Sequence, residues 1–236
     1  MGKIWAIAQR ELKAYFVSPV AYVVAALFML VSGYLFSLIL YHTREASMRG
    51  LFANLNVVFL IVAPALTMRL LAEERQRGTI EMLMTSPVSD RDIVLGKYLS
   101  CLLYLAFLMG LTVIYPLTLA WLGKPDWMTI LTGYLGIYLL GASFMAVGLL
   151  TSSWTNNQVI AAVATFALSL LIWLLPSAGA VVGQPMSQVF EYMSLLQHQE
   201  NLLRGVIDSS DVIYYVSFIV GSLFLTIRSV EVYRWR

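Results

Sequence analysis

Charge is what this sequence has least of. Asp, Glu, Lys and Arg make up 12% of it, about half the share found in a soluble domain. None occurs between Asp126 and Glu191, within Val17–Tyr41, or within Tyr98–Gly123. A helix needs roughly 20 apolar residues to cross about 30 Å of hydrocarbon, and buried soluble helices seldom need so many in succession. A soluble fold is excluded. Cysteine is nearly absent as well: Cys101 stands alone, so there is no intrachain disulfide, CxxC pair or Cys/His metal spacing, and it reads as a small apolar filler. The set of catalytic signatures is empty too. There is no HExxH, no Ser/His/Asp set, no paired carboxylates in a cleft and no GxxxxGK[ST] phosphate loop. Gly96-Lys97 is followed by Tyr98 and lacks the leading glycine. Catalytic, cofactor and metal sites are therefore not expected in this chain. A net charge of +2, with basic residues at span ends rather than in a stripe, excludes nucleic acid.

What is present is apolar: 60% hydrophobic residues and a mean hydropathy of +0.79. We read an all-α polytopic membrane protein, a single transmembrane domain over 1–236. Its six transmembrane helices fall near 19–41, 52–72, 97–121, 130–151, 157–176 and 211–228. The first apolar run is too long for a signal peptide and follows an amphipathic segment, so no cleavage is expected. Eleven of the Lys and Arg residues fall in the N-terminal segment, the 69–97 connection and the C-terminus. The other side receives Arg44, Arg49, Lys124 and Arg204. Both termini are expected in the cytoplasm, which an even number of spans allows. The central stretches carry no ionisable group, and His42 and His198 lie outside them, which argues against a proton-driven carrier. Asn156, Asn157 and Gln158 read as a polar turn. Small residues at Ala142/Ala146, Gly148/Ser152 and Ala161/Thr165/Ser169 permit close helix packing.

Residues 3–16 have the pattern of an interfacial helix. Ile4, Trp5, Ile7, Ala8, Leu12, Tyr15 and Phe16 share one side, with Lys3, Gln9, Arg10 and Lys13 on the other or at its borders. Glu11 intrudes on the apolar side. It either pairs with a basic group elsewhere or sits at the water boundary, and the second reading is the one adopted. Ser18-Pro19 marks the turn into the membrane.

The 69–97 connection has an order of its own. Arg69–Glu73 and Arg77–Glu81 are four apart, which would pair opposite charges on a helix. Gly78 breaks that helix, Thr79 can cap a short second one over Ile80–Thr85 with Glu81 in its first turn, and Pro87 stops it. Ser89 with Asp92 forms a capping-box pattern leading into the third span. The segment 177–210 is expected outside, as short re-entrant helices too interrupted by Gly179, Gly183 and Pro185 to span. Asp208 and Asp211 are candidate caps for the last span.

The run Glu73-Glu74-Arg-Gln-Arg-Gly78-Thr79-Ile80-Glu81 through Pro87 to Gly96-Lys97 resembles a loop in the membrane subunits of ABC-type exporters of the second family. Its nearest likeness is to the gliding-motility and multicopper-enzyme-maturation permeases. Arg10-Glu11 through Ser18-Pro19, and Arg204-Gly205 through Tyr214-Tyr215, resemble that group as well. The likeness implies a bacterial inner-membrane permease that forms half of an export path. It implies two ABC ATPase subunits that bind ATP and Mg, a second permease half (identical or a paralogue), and an accessory subunit with an external domain. Thr79–Thr85 would be the coupling helix, with Glu73, Glu74, Arg77 and Glu81 near the ATPase surface. The alternative is a non-transporting scaffold that anchors a soluble complex by the same loop.

Overall fold

The computed structural model describes residues 2–79, 88–181, 189–190 and 192–234, with side chains left out of account at 178–181 and 234. Among the described residues the chain is helical, and six helices are long and apolar enough to cross a membrane. This is the all-α polytopic architecture that the charge-free stretches require.

The punctuation of these helices is written locally. Helix α1 (Gly2–Val17) ends at Ser18, whose hydroxyl accepts from Val20 N at 3.4 Å and caps α2 (Pro19–Thr43). Pro19 takes the first helical position, where its missing N–H costs nothing. Helix α3 (Arg49–Thr67) leads into the five-residue α4 (Ala72–Gln76). Helix α5 (Asp90–Leu111) starts in a reciprocal capping box between Ser89 and Asp92. It breaks at Thr112 before α6 (Ile114–Leu122), because Pro116 offers no N–H to the Thr112 carbonyl and its ring crowds that oxygen. Asp126 caps α7 (Trp127–Ser152) and Asn157 caps α8 (Gln158–Val181), which continues through Pro176. Helix α9 (Leu195–Leu203) starts at Ser194, and α10 (Ser209–Arg234) closes the chain.

Helix α7 is the hub. It packs against α3, α5, α8, α9 and α10, and 72% of its apolar stretch is buried, against 17% for α2 and for α8. Most of α7 therefore faces protein, whereas α2 and α8 leave broad apolar faces outward. Small side chains let the neighbours approach. Thr151 and Thr165 share a 2.6 Å hydrogen bond between α7 and α8, and Ala161 is fully buried. In hydrocarbon, packing and such bonds replace the hydrophobic drive.

Contacts sort the ends into two faces. Arg75 lies 4.3 Å over the Tyr233 ring, Ser229 donates to Ser153 O, and Arg10 and Lys97 meet Glu74. These gather both ends of the chain on one face, called here the terminal face. The opposite face carries α9, with Arg49 Nε donating to Leu203 O at 3.0 Å.

Candidate functional site

The terminal face holds the densest collection of charge in the molecule's described part. Helix α4 is set there by a neighbour rather than by its own capping residue. Ser152 Oγ, at the end of α7, accepts from Leu71 N at 3.1 Å and Ala72 N at 3.0 Å, and donates to Met68 O. Two amides that a helix start leaves unpaired are thus satisfied by the bundle hub. At its other end α4 stops at Gly78, whose φ of +69° lies in the left-handed region that favours glycine.

Helix α1 closes over this elbow. It lies on α5 so tightly that a Cβ at Gly96 would stand 2.7 Å from Ile7 Cβ and 3.0 Å from Ile4 O. Tyr15 donates to Leu66 O at 2.8 Å and stacks on Tyr104. Arg69 lies over the Tyr15 ring, with its guanidinium carbon 4.7 Å from the ring centre, and donates to Ser18 Oγ at 3.1 Å. This corrects the expected Arg69–Glu73 pair. The aromatic face and cap hydroxyl claim Arg69, and Glu73 pairs with Arg77 at 2.6 Å.

Between α1, α4 and α5 lies a closed ring of four charges. Lys97 Nζ meets Glu11 Oε1 at 3.1 Å and Glu74 Oε1 at 2.9 Å, and Arg10 Nη2 meets the same two oxygens at 2.8 and 3.2 Å. The Lys97 side chain is 1% exposed, so its charge depends on those two carboxylates. Burial pushes the Glu11 carboxyl up, but the Lys97 charge and the bonds from Arg10 and Lys97 outweigh it and hold Glu11 below its ordinary range. Its bond to Glu11 raises Arg10 in turn, against the effect of burial. The water-boundary reading of Glu11 is therefore wrong: the carboxylate faces inward because a buried lysine needs it. A cleft of about 780 Å³ opens beside the ring, lined by Arg10, Glu11, Arg69, Glu74, Arg77 and Lys97 among others.

Of the sequence-derived site residues, the structure brings Glu73, Glu74, Arg77, Gly78 and Thr79 together at this elbow. Thr79 Oγ1 donates to Glu74 O at 3.3 Å. Glu81, Pro87 and the expected helix over Ile80–Thr85 lie outside the described residues, as do Gly183 and Pro185. On the opposite face Asp208 accepts from Ser210 N at 2.9 Å in a cap-like bond. Asp211 sits in the first turn of α10 with its carboxylate spent on His198 and Asn201. Arg10, Glu11 and Lys97 were not read as one site. The available signal was the single acid on the apolar side of α1.

Among the described residues no three His, Cys, Asp or Glu side chains converge as metal ligands do. The family described as ABC-2 family transporter protein matches residues 5–211. The chain belongs to the ABC-2 transporter family. No curated protein matches it. As an ABC-2 protein it is a multi-pass membrane permease component of an ABC transporter, and the family partners with an ATPase subunit.

Proposed function

We propose that this ABC-2 permease forms half of an export path and takes its drive from ATPase subunits at the terminal face, with the 69–97 elbow as the point of coupling. The observation that carries the reading is the charge ring: it joins the elbow (Glu74), the interfacial helix α1 (Arg10, Glu11) and the third span (Lys97) in one unit. A push on α4 then moves a span rather than bending a loose loop. Glu73 and Arg77, half or more exposed at the arginine end, offer both signs to a partner, and such rim charges set register more than affinity. In this reading Gly78, Thr79, Glu81 and Pro87 belong to the coupling segment.

In this reading the terminal face is cytoplasmic, in a bacterial inner membrane, consistent with the excess of Lys and Arg there. Two ATPase subunits bind ATP and Mg, a second permease half completes the path, and an accessory subunit with an external domain accompanies them in the gliding-motility type. The test is purification of the tagged chain from its native membrane. A nucleotide-binding polypeptide should accompany it, and paired charge reversal at Glu73 and Arg77 should leave the permease folded while loosening that partner. If soluble proteins without a nucleotide site accompany it instead, the scaffold reading takes its place.

A further inference from the structure

His198 lies on α9, at the opposite face from the elbow, and is 8% exposed. Its Nδ1 is 2.7 Å from Asp211 Oδ1 and its Nε2 is 3.0 Å from Tyr192 O. Both partners accept. The Tyr192 carbonyl has no proton to give, and the Asp211 carboxylate already accepts from Asn201 Nδ2 at its other oxygen, 3.0 Å away. A neutral imidazole has one N–H, whereas these two bonds need two. The Tyr214 ring stacks on the imidazole at 4.0 Å, and Tyr192 meets it edge-on. Asp208, at the turn before α10, is held below the usual carboxylate range chiefly by its bond to the Ser210 backbone.

We propose that His198 and Asp211 form a proton-dependent latch that holds α9 against the bundle. With both ring nitrogens protonated, His198 donates to Asp211 and to Tyr192 O and ties the residue-192 turn, α9 and α10 together. Loss of one proton sets a bare nitrogen lone pair against an acceptor, so one of the two bonds must break. The latch is closed at low pH and loosens as pH rises. Among the described residues, the following ionisable groups on the elements around α9 have partners of their own, as do Tyr134 and Tyr138 of α7, which bond to the Thr112 hydroxyl and to Leu102 O. Arg49 of α3 donates to Leu203 O, and Asp126 before α7 accepts from Thr129. Tyr214 and Tyr215 of α10 donate to Met193 O and Leu195 O, and Glu200 and Arg204 pair along α9 itself. In α8, residues 158–177 contain no ionisable side chain. A proton on His198 is therefore the change that this contact reads, and it is independent of how the elbow is driven.

The test places a thiol beneath α9. Leu202 is fully buried, so Leu202→Cys in a Cys101→Ala background reports lifting of the helix. The full chain in lipid nanodiscs is labelled with a maleimide from about pH 5 to about pH 8, and each rate is divided by that of the same cysteine with His198→Gln. The ratio should rise about tenfold with pH, the scale of one lost charge-assisted bond. A ratio that stays flat overturns the proposal. If the glutamine variant does not fold, ring-labelled histidine in a His42→Gln chain leaves one imidazole signal. Two protonated nitrogens at low pH, with one lost as labelling rises, support the latch. A neutral ring throughout, or a titration without a change in labelling, refutes it.

Discussion

The two faces of this ABC-2 permease fasten a peripheral helix to the same bundle by different chemistry. On the terminal face, α1 is held by a closed ring of full charges around a lysine that is 1% exposed. On the opposite face, α9 is held mostly by neutral groups. Asn56 and Gln199 exchange amide bonds of 2.7 and 3.1 Å, Arg49 caps the helix end, Tyr215 donates to Leu195 O, and His198 and Asn201 both meet the Asp211 carboxylate. The difference teaches where each face is stiff. A buried lysine is costly to part from its carboxylates, so α1, the elbow and the third span are fastened to one another at Lys97. An amide pair costs less to part, and α9 is the more readily lifted element.

The comparison breaks most visibly at Lys97. Lys97→Met leaves Glu11 and Glu74 facing each other with only Arg10 between them, and should cost about 3 kcal/mol. Thermal unfolding in detergent should show it, and adding Glu11→Gln should recover part of the loss. A loss no larger than that of a surface substitution would mean that the ring does not bind α1. Gly96→Val comes next, at about 2 kcal/mol, because its side chain must displace Ile7 and the Ile4 carbonyl. Limited proteolysis should release the α1 segment first. On the other face, Asn56→Ala strands the buried Gln199 amide and should cost about 1.5 kcal/mol. Replacing both residues by leucine should be close to neutral in the same unfolding assay, which the ring does not allow.

Acid sharpens the contrast. The folded Glu11 carboxyl titrates below its unfolded value, so its contribution is complete above about pH 4.3 and is lost as pH falls through the lower folded value. Glu11→Gln should therefore lose less stability than the natural chain across that acid range. The smallest effect belongs to Arg77→Ala. Its pair with Glu73 is 70% exposed at the arginine end, and stability should change by no more than about 0.5 kcal/mol, even where partner binding weakens.

Much of the fold was legible because hydrocarbon leaves few options: charge-free stretches had to be spans, and Ser18-Pro19 and Ser89-Asp92 act within a few residues. The site was harder to read because its bonds are long-range. Glu11 and Lys97 are 86 positions apart, and Lys97 looked like one more basic residue at a span end. In fact α5 begins at Asp90 and carries Lys97 inside the helix. Arg69 left its i,i+4 partner for Tyr15, a contact that helical spacing does not encode. Asn56 and Gln199, 143 positions apart, meet through a contact that no local spacing encodes.

The central claim is that the elbow faces the compartment where ATP is hydrolysed. Gln76 is exposed on α4, and the single native thiol, Cys101, is buried. A Gln76→Cys chain in intact cells, treated with a membrane-impermeant maleimide, should stay unlabelled until the membrane is opened. Labelling in intact cells would put the elbow outside and contradict the account.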